Sequence, residues 1–172
     1  MIDNLKVTKP MDMALVSDYI RKCSKESKFY LGSDSERYKR KGIWYADYTV
    51  VVVCHIDGCH GCKVFGEVQT ARDYDQRKDR PSMRLMGEVY RVAELFGKLE
   101  PVLKSRYVEV HIDINSKKIH ASNIVAAQAI GYIKGVCNID AQLKPNAFAA
   151  SFAADRVKEI ISVPYHDARV TA

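Results

Sequence analysis

The stretch FYLGSDSERYKRKGIWYADYTVVVVCH, residues 29–55, decides the fold of this chain. Phe29–Glu36 is predicted to be a strand, and Ile43–His55 is a β-branched and aromatic run that is typical of a second strand. The basic segment Arg37–Gly42 is predicted to form the turn between them. Because strands joined by a short turn pair in opposite directions, this stretch predicts an antiparallel hairpin.

Apolar periods of two residues and of about 3.6 residues alternate after this hairpin. The Asp-Gly pair at positions 57–58 is a second hairpin signal. Later strands are separated by helices, and such connections suit parallel pairing. The sequence therefore predicts an α/β fold with a five-stranded mixed sheet flanked by helices. In chain order, the further predicted elements are the strand Lys63–Thr70, the polar loop Ala71–Ser82, the helix Met83–Leu103, the strand Tyr107–Ile114, the helix Ile119–Val136, the strand Ile139–Leu143 and a helix capped by Asn146 that reaches about Ile161.

The length and composition suit one compact domain that spans residues 1–172. Hydrophobic residues make up 47% of the chain, which is enough to build a core. Residues 1–27 are predicted to form a helical extension with a helix at 12–23, and residues 164–172 a loose tail. No apolar run approaches the roughly 20 residues of a membrane span, and the N-terminus lacks a secretory signal. We therefore expect a cytoplasmic protein that does not enter a membrane.

Two predicted strands carry an aspartate near their ends. Alternation along the first strand places Asp34 on the same face as Tyr30 and Gly32. In the strand Tyr107–Ile114, the same alternation separates Asp113 from the apolar face. These two acids are therefore candidates to meet at one end of the sheet.

Two predicted helices each direct one acid towards the sheet. At about 100° per residue, Glu88 falls between Leu95 and Leu99, on the border of the apolar stripe. Asp155 lies on the same side of its helix as Phe152, three residues earlier. Each acid also fits an ordinary role, as a turn residue or as the ion-pair partner of an arginine. Together they predict a cluster, in which bound cations would offset the repulsion between carboxylates.

Four segments of the sequence resemble the YkuK-like family of proteins with the ribonuclease H-like fold. The resemblance extends from Lys28 to Lys158, which is nearly the whole predicted domain. It implies the fold and metal chemistry of that superfamily. The segments are GSDSE (32–36), RLMGEV (84–89), VEVHIDIN (108–115) and KPNAFAASFAADR (144–156).

The resemblance implies a nuclease that hydrolyses phosphodiester bonds with two Mg²⁺ or Mn²⁺ ions. The catalytic residues and metal ligands fall on the four acids that the facing pattern also selects. By analogy, Asp34 bridges the two ions. Glu88 and Asp113 bind one ion, and Asp155 binds the other. Family members typically carry Gln where this chain has Glu36, which makes Glu36 a secondary candidate.

Basic residues border the predicted acids in three segments. The net charge of +6 and the isoelectric point of about 9.0 favour a polyanionic partner. These residues are predicted to bind the backbone of a nucleic acid, which is DNA, RNA or a hybrid. A solvated, charged surface is the alternative reading of each segment. The predicted substrate-binding residues are Lys39, Arg40, Lys41, Arg72, Arg77, Lys78, Arg80, Lys117 and Lys118.

Other functions are also compatible with the sequence. The sequence does not indicate an oligomeric state. A DEDD-type 3′–5′ exonuclease would use Asp34 and Glu36, but its Tyr or His base is missing at Ala150 and Ser151. A catalytically inactive scaffold that binds nucleic acid or protein is a second alternative. His111 is a secondary candidate for moving protons, although such a histidine more often forms hydrogen bonds inside the core. A binding module with structural Zn²⁺ is a third alternative, with the ligands His55, Cys59, His60 and Cys62.

Overall fold

Among the residues that the structure describes, six strands form one mixed sheet in the computed structural model. Across the sheet, numbered in chain order, the strands lie in the order β1-β4-β3-β2-β5-β6. They are β1 (Lys6–Thr8), β2 (Lys28–Arg40), β3 (Ile43–His55), β4 (Cys62–Arg72), β5 (Tyr107–Asn115) and β6 (Ala141–Lys144). The structure describes residues 6–8, 10–75, 82–115 and 123–160.

Helices cover both faces of the sheet within the described residues. A C-terminal helix spans 148–160: it contains the π-helical turn Ala149–Ala153 and is α-helical over 154–160. None of the helices that the structure describes has the length and apolar character needed to cross a membrane. The other helical elements are α1 (Met13–Lys22), α2 (Ser82–Leu103), α3 (Asn123–Cys137) and a 3₁₀ turn at Ile56–Gly58.

The observed topology confirms the predicted α/β fold with its mixed sheet. β3 pairs antiparallel with β2 and β4, whereas β5 pairs parallel with β2 and β6. The segment predicted as a helical extension supplies α1 and, in addition, the sixth strand β1, which pairs antiparallel with β4. A three-residue strand is too short to show a period of two residues, so the sequence did not reveal it.

The first hairpin is longer than predicted, and the prediction of a turn over Arg37–Gly42 was wrong. β2 continues to Arg40, and only residues 41–42 form the turn, with φ values of 48° and 80°. The β2–β3 pairing runs unbroken to Arg40 and Ile43, and within this extension Tyr38 stacks on Tyr45 with ring centroids 5.9 Å apart.

The later predicted elements lie near the observed ones. β6 begins at Ala141 rather than Ile139, and the C-terminal helix begins at position 148 rather than directly after Asn146. The predicted start of α3 at 119–122 and the predicted tail at 164–172 lie outside the described residues.

The two faces of the sheet are covered unequally. Helices α1, α2 and α3 pack on one face, called the first face, where Phe29 and Leu31 of β2 enter the main core. Among the described residues, only the C-terminal helix packs on the second face, against Val51 of β3. The predicted alternation along β2 is confirmed, because Tyr30 and Gly32 contact this helix.

Two glycines allow the C-terminal helix to approach the second face closely. A Cβ atom at Gly32 would lie 2.6 Å from the carbonyl carbon of Ala149 and from the amide nitrogen of Ala150. A Cβ atom at Gly66 of β4 would lie 2.6 Å from Cγ1 of Val157. A side chain at either position would displace its neighbour, so the helix depends on glycine for its position over the sheet.

Candidate metal centre

The candidate site lies where β2 and β5 separate. Their parallel ladder ends at the pair Ser33 and Ile112, and the next residue on each strand is an acid, Asp34 or Asp113. The register between β5 and β6 also shifts between Ile112 and Asn115, an irregularity of the kind that redirects side chains near active sites. Asp34 therefore lies at the end of the β2–β5 ladder. The sequence had predicted it near the end of its strand, but β2 continues to Arg40.

The carboxyl group of Asp34 is largely buried, with 18% of the side chain exposed. Burial, followed by the charge of Asp113, raises the pKa of Asp34 to about 7, and the charge of Asp155 adds to this effect. Lys158 opposes the shift, with its Nζ atom 3.9 Å from Oδ2 of Asp34. Near pH 7 this carboxyl group is about half protonated, and a further cation would favour its ionised form.

Glu88 reaches the site from the first face, and only 1% of its side chain is exposed. Its Oε1 atom accepts a hydrogen bond of 2.5 Å from Oγ of Ser35 and lies 3.7 Å from Nη1 of Arg84. Its Oε2 atom is buried and has no hydrogen-bond partner in the part of the chain that the structure describes, which is costly. Burial, followed by the charge of Asp34, raises the pKa of Glu88 well above its usual value. The orientation predicted for Glu88 and the ion pair considered for it are both observed.

Lys158 contacts three of the acids. Its Nζ atom lies 3.1 Å from Oδ1 of Asp155, 3.5 Å from Oε2 of Glu36 and 3.9 Å from Oδ2 of Asp34. Burial lowers the pKa of Lys158, but the hydrogen bond with Asp155 and the charges of the other two acids outweigh this effect and raise it. Lys158 is therefore a positive charge at neutral pH.

A second lysine contacts Asp113. Nζ of Lys144 lies 2.6 Å from Oδ1 of Asp113, and Oγ of Ser151 donates a 3.1 Å hydrogen bond to the same oxygen. Burial lowers the pKa of Lys144, but the hydrogen bond with Asp113 and the charges of Asp113, Asp34 and Glu88 together outweigh this effect and raise it. The acid of β5 is thus oriented from β6 and from the C-terminal helix.

Sequence reasoning missed these polar partners of the acids. Lys158 follows Asp155 by three residues, a spacing that places both on one helix face and that would have identified the pair. Ser35, Lys144 and Ser151 gave no such signal, because their partners are remote along the chain or on another element.

The arrangement brings the four predicted acids into electrostatic contact around Asp34, whose pKa responds to Asp113 and Asp155 and whose charge affects Glu88. Among the described residues, no three His, Cys, Asp or Glu side chains are already arranged as ligands of one metal ion. The donor set nevertheless fits a hard cation, because it consists of carboxylate oxygens and includes the unpartnered Oε2 of Glu88.

Both ring nitrogens of His111 form hydrogen bonds. Nδ1 accepts from the amide nitrogen of Ala149 at 3.1 Å, so the proton belongs on Nε2, which lies 2.9 Å from Oε2 of Glu109. Burial lowers the pKa of His111. The ring ties β5 to the C-terminal helix, and a role in proton transfer stays a prediction.

A comparison with models of protein families identifies the family to which the chain belongs. The family model described as Ribonuclease H-like matches residues 12–159. The chain belongs to the ribonuclease H-like family. Comparisons with curated proteins and with solved structures gave no match. The matched range includes the four predicted acids and both lysines, so the candidate centre lies within the ribonuclease H-like region.

Some predicted substrate-binding residues lie on the long hairpin of the ribonuclease H-like sheet. Lys39 and Arg40 are exposed strand residues, and Lys41 is exposed in the turn, whereas all three had been predicted in the turn. Arg72 ends β4, and its guanidinium group lies 5.1 Å from the ring centroid of Tyr74. The others, namely Arg77, Lys78, Arg80, Lys117 and Lys118, lie outside the described residues.

The histidines and cysteines at the second hairpin lie close together but do not form a metal site among the described residues. His55 and Cys62 are register partners at the end of the β3–β4 ladder. Sγ of Cys59 lies 3.6 Å from Nδ1 of His60, which lies 3.1 Å from Oδ2 of Asp57. Structural zinc at this hairpin stays a prediction.

Proposed function

We propose that this ribonuclease H-like chain hydrolyses phosphodiester bonds of nucleic acids with divalent metal ions. The proposed ligands are Asp34, Glu88, Asp113 and Asp155. One observation carries the proposal: Glu88 keeps a buried oxygen for which the described residues offer no hydrogen-bond partner, within electrostatic reach of Asp34, whose pKa is raised to about 7. A bound cation would stabilise the ionised form of both groups and give that oxygen a partner.

Mg²⁺ and Mn²⁺ suit this site because both ions prefer oxygen ligands. When bound, such ions activate a water molecule and neutralise charge on the phosphate. In the proposed hydrolysis, the water oxygen forms a bond to phosphorus while an ester P–O bond breaks. One proton leaves the water, and the departing oxygen takes one up.

The resemblance to the YkuK-like family supports two cation positions around Asp34. Asp34 is the proposed link between them, because its pKa responds to Asp113 and Asp155. The first position is assigned to Glu88 and Asp113, and the second to Asp155. Ser35 orients Glu88 through its hydrogen bond, and outer hydrogen bonds of this kind tune metal ligands.

Nucleic acid is the proposed substrate because exposed basic residues lie on the same hairpin as Asp34. Lys39 and Arg40 follow Asp34 by five and six residues, which corresponds to about 16–20 Å along a strand. Trp44 is partly exposed, and Nζ of Lys39 lies 5.5 Å from its ring centroid. Aromatic and basic groups together bind bases and phosphates, so DNA, RNA and hybrids are all candidate substrates.

A DEDD-type exonuclease has less support than this proposal. Its general base would stand at Ala150 or Ser151. Ala150 is buried and has no ionisable group, and Ser151 donates its hydrogen bond to Asp113.

Cleavage of labelled single strands, duplexes, hybrids and junctions tests the proposal. We expect the wild-type chain to cut at least one substrate with Mg²⁺ or Mn²⁺ and none with EDTA. Asp34→Asn and Glu88→Gln remove a proposed ligand while keeping the size of the side chain. Each should lower the rate by more than the roughly 10–100-fold that the loss of an outer partner costs.

Two exposed acids provide matched controls. Asp140→Asn changes an exposed aspartate that pairs with Lys134, and Glu94→Gln changes an exposed residue of α2 that pairs with Lys98. Both controls should retain wild-type rates, and circular dichroism should show every variant folded. Full activity of Asp34→Asn would refute the site. Failure of the wild-type chain to cut any substrate would instead favour an inactive scaffold.

A further inference from the structure

Lys158 places a fixed positive charge inside the candidate metal centre. Its Nζ atom contacts carboxylates of Asp34, Glu36 and Asp155 at 3.9, 3.5 and 3.1 Å. Only 20% of its side chain is exposed. An ammonium group held among three carboxylates offsets part of their charge, as a bound cation would, and removing it would leave more charge uncompensated in a partly buried site.

The backbone of the C-terminal helix holds Lys158 at this position. The preceding residue, Val157, lies so close to Gly66 that a Cβ atom there would be 2.6 Å from its Cγ1. Two turns earlier, Ala149 meets Gly32 at a similarly close distance. With both ends of the segment packed on the sheet, the helix has little freedom to carry Lys158 away from β2.

Lys144 differs from Lys158 in its exposure and in the number of acids it contacts. It lies at the cation position that is assigned to Glu88 and Asp113. Nζ of Lys144 contacts only Asp113 among the acids of the site, and 42% of its side chain is exposed. Lys144 and Ser151 both contact the same oxygen, Oδ1 of Asp113. The buried Oε2 atom of Glu88, which reaches the site from the first face, has no hydrogen-bond partner among the described residues. Arg84 contacts Glu88, and Lys144 contacts Asp113. Neither cation is held among several carboxylates of the site, as Lys158 is beside Asp155.

The formal charges of the site also favour one divalent ion. When all five carboxylates are ionised, as ligands of a metal ion must be, they outnumber the fixed cations by two charges, which is the charge of one Mg²⁺ or Mn²⁺ ion. A second divalent ion would have to enter beside an ammonium group that already occupies its ligands. The carboxylates are Asp34, Glu36, Glu88, Asp113 and Asp155, and the cations are Arg84, Lys144 and Lys158.

We propose, on the basis of the nuclease function proposed above, that the centre binds a single divalent ion at Glu88 and Asp113. The ammonium group of Lys158 takes the place of the second ion, beside Asp34 and Asp155. Lys158 is thus a substitute cation that positions these two carboxylates, and the site departs from a two-ion arrangement at this one residue.

Counting bound Mn²⁺ on the full chain tests this inference without a substrate. Titration followed by calorimetry and by the electron paramagnetic resonance signal of free Mn²⁺ gives the number of ions per chain. We expect one ion for the wild-type chain and two for Lys158→Gln, which removes the charge but keeps a polar side chain. The second ion should bind at least about tenfold more tightly in the variant, because a unit charge about 4 Å away no longer opposes it.

Three further variants test whether the number of bound Mn²⁺ ions depends on the charge of Lys158. Lys158→Arg keeps the charge and should bind one ion. Arg156→Gln removes a charge from the same helix, where Arg156 pairs with Glu159 outside the site, and should also bind one ion. Lys158→Met is a second neutral variant, to be used if Lys158→Gln does not fold by circular dichroism.

The possible counts separate this inference from the function on which it rests. Two ions in the wild-type chain would overturn the role of Lys158 and leave the proposed nuclease intact. A single ion in the neutral variants would overturn it as well. No ion in any of the proteins would overturn the metal centre itself, and the inference with it.

Discussion

The two faces of the sheet bring acids to one place by different means. On the first face, three helices and the main core bury Glu88 almost completely, in a layer that includes Leu99. On the second face, one described helix covers Asp34, and the acids there contact Lys158. The first face thus buries its acid under apolar packing, with Ser35 and Arg84 as polar partners, whereas the second depends on close backbone approach and on charge. Changes on the two faces should therefore differ in size.

Truncation of the main core should have the largest effect. Leu99 is fully buried on the first face. Leu99→Ala should lower the free energy of unfolding by about 2–5 kcal/mol, because it removes apolar contacts and leaves a cavity. Urea unfolding measures this difference. Met83→Ala on the same helix changes a side chain that is 60% exposed, and should stay within about 0.5 kcal/mol of wild type. Equal losses in the two variants would contradict the burial of Leu99 in the main core.

Asp34 on the second face should make stability depend on pH, as measured in EDTA to remove metal ions; Glu88, whose pKa is also raised, adds to the effect in the same direction. The pKa of Asp34 is raised from 3.8 to about 7, so the folded chain binds this proton more tightly than the unfolded chain. The free energy of unfolding should therefore fall as pH rises from about 4 to about 7, by an amount on the order of 3 kcal/mol.

Substitution of Asp34 isolates its part of this pH effect. Asp34→Asn has no proton to lose, so it should gain stability relative to wild type as pH rises through that window. Urea unfolding at a series of pH values measures the difference. Asp140→Asn, at an exposed position, should show no such gain. A difference between Asp34→Asn and wild type that is independent of pH would contradict the raised pKa.

Crowding at the second face should have a smaller effect. Gly32→Ala places a Cβ atom 2.6 Å from backbone atoms of Ala149 and Ala150. We expect a loss of about 1–3 kcal/mol, with faster amide exchange over residues 148–160. Gly97→Ala is the control, because nothing lies within 4 Å of a Cβ atom there and alanine favours the helix. Unchanged exchange over 148–160 in Gly32→Ala would show that the helix does not depend on this contact.

The smallest expected effect concerns the link between β5 and the C-terminal helix. His111→Gln weakens the hydrogen bond that the ring accepts from the amide of Ala149, and should cost about 1 kcal/mol. Amide exchange at Ala149 should increase together with this loss of stability. His60→Gln, at an exposed histidine, should leave both quantities unchanged. Protection of the Ala149 amide in His111→Gln would argue against the link.

Sequence patterns predicted most of the fold because apolar periods report directly which side of each element is buried. They located β3, β5 and α2 with bounds close to those observed. They failed where a short element or a cross-strand contact decides the outcome. β1 is too short to show a period, and the extension of β2 beyond Glu36 depends on ring pairs such as Tyr38 with Tyr45.

The candidate site was predictable in part for the same reason. The facing pattern selected Asp34 and Glu88, because a carboxylate on a buried face interrupts an apolar period. It did not identify Lys144 as a partner of Asp113, because the two belong to different strands and meet only through the sheet. When the charged partner of an acid comes from another element, it does not change the apolar period of the sequence around that acid.

Local alternation and spacing along the chain determined which elements form and which acids turn inwards, since both depend only on neighbouring residues. Tertiary structure alone decided that the β2–β5 ladder ends at Asp34 and Asp113, and that Lys158 lies among three carboxylates. The physical reason is that charge compensation depends on distances of a few ångströms between remote segments, and these distances exist only after the sheet and the C-terminal helix have packed together.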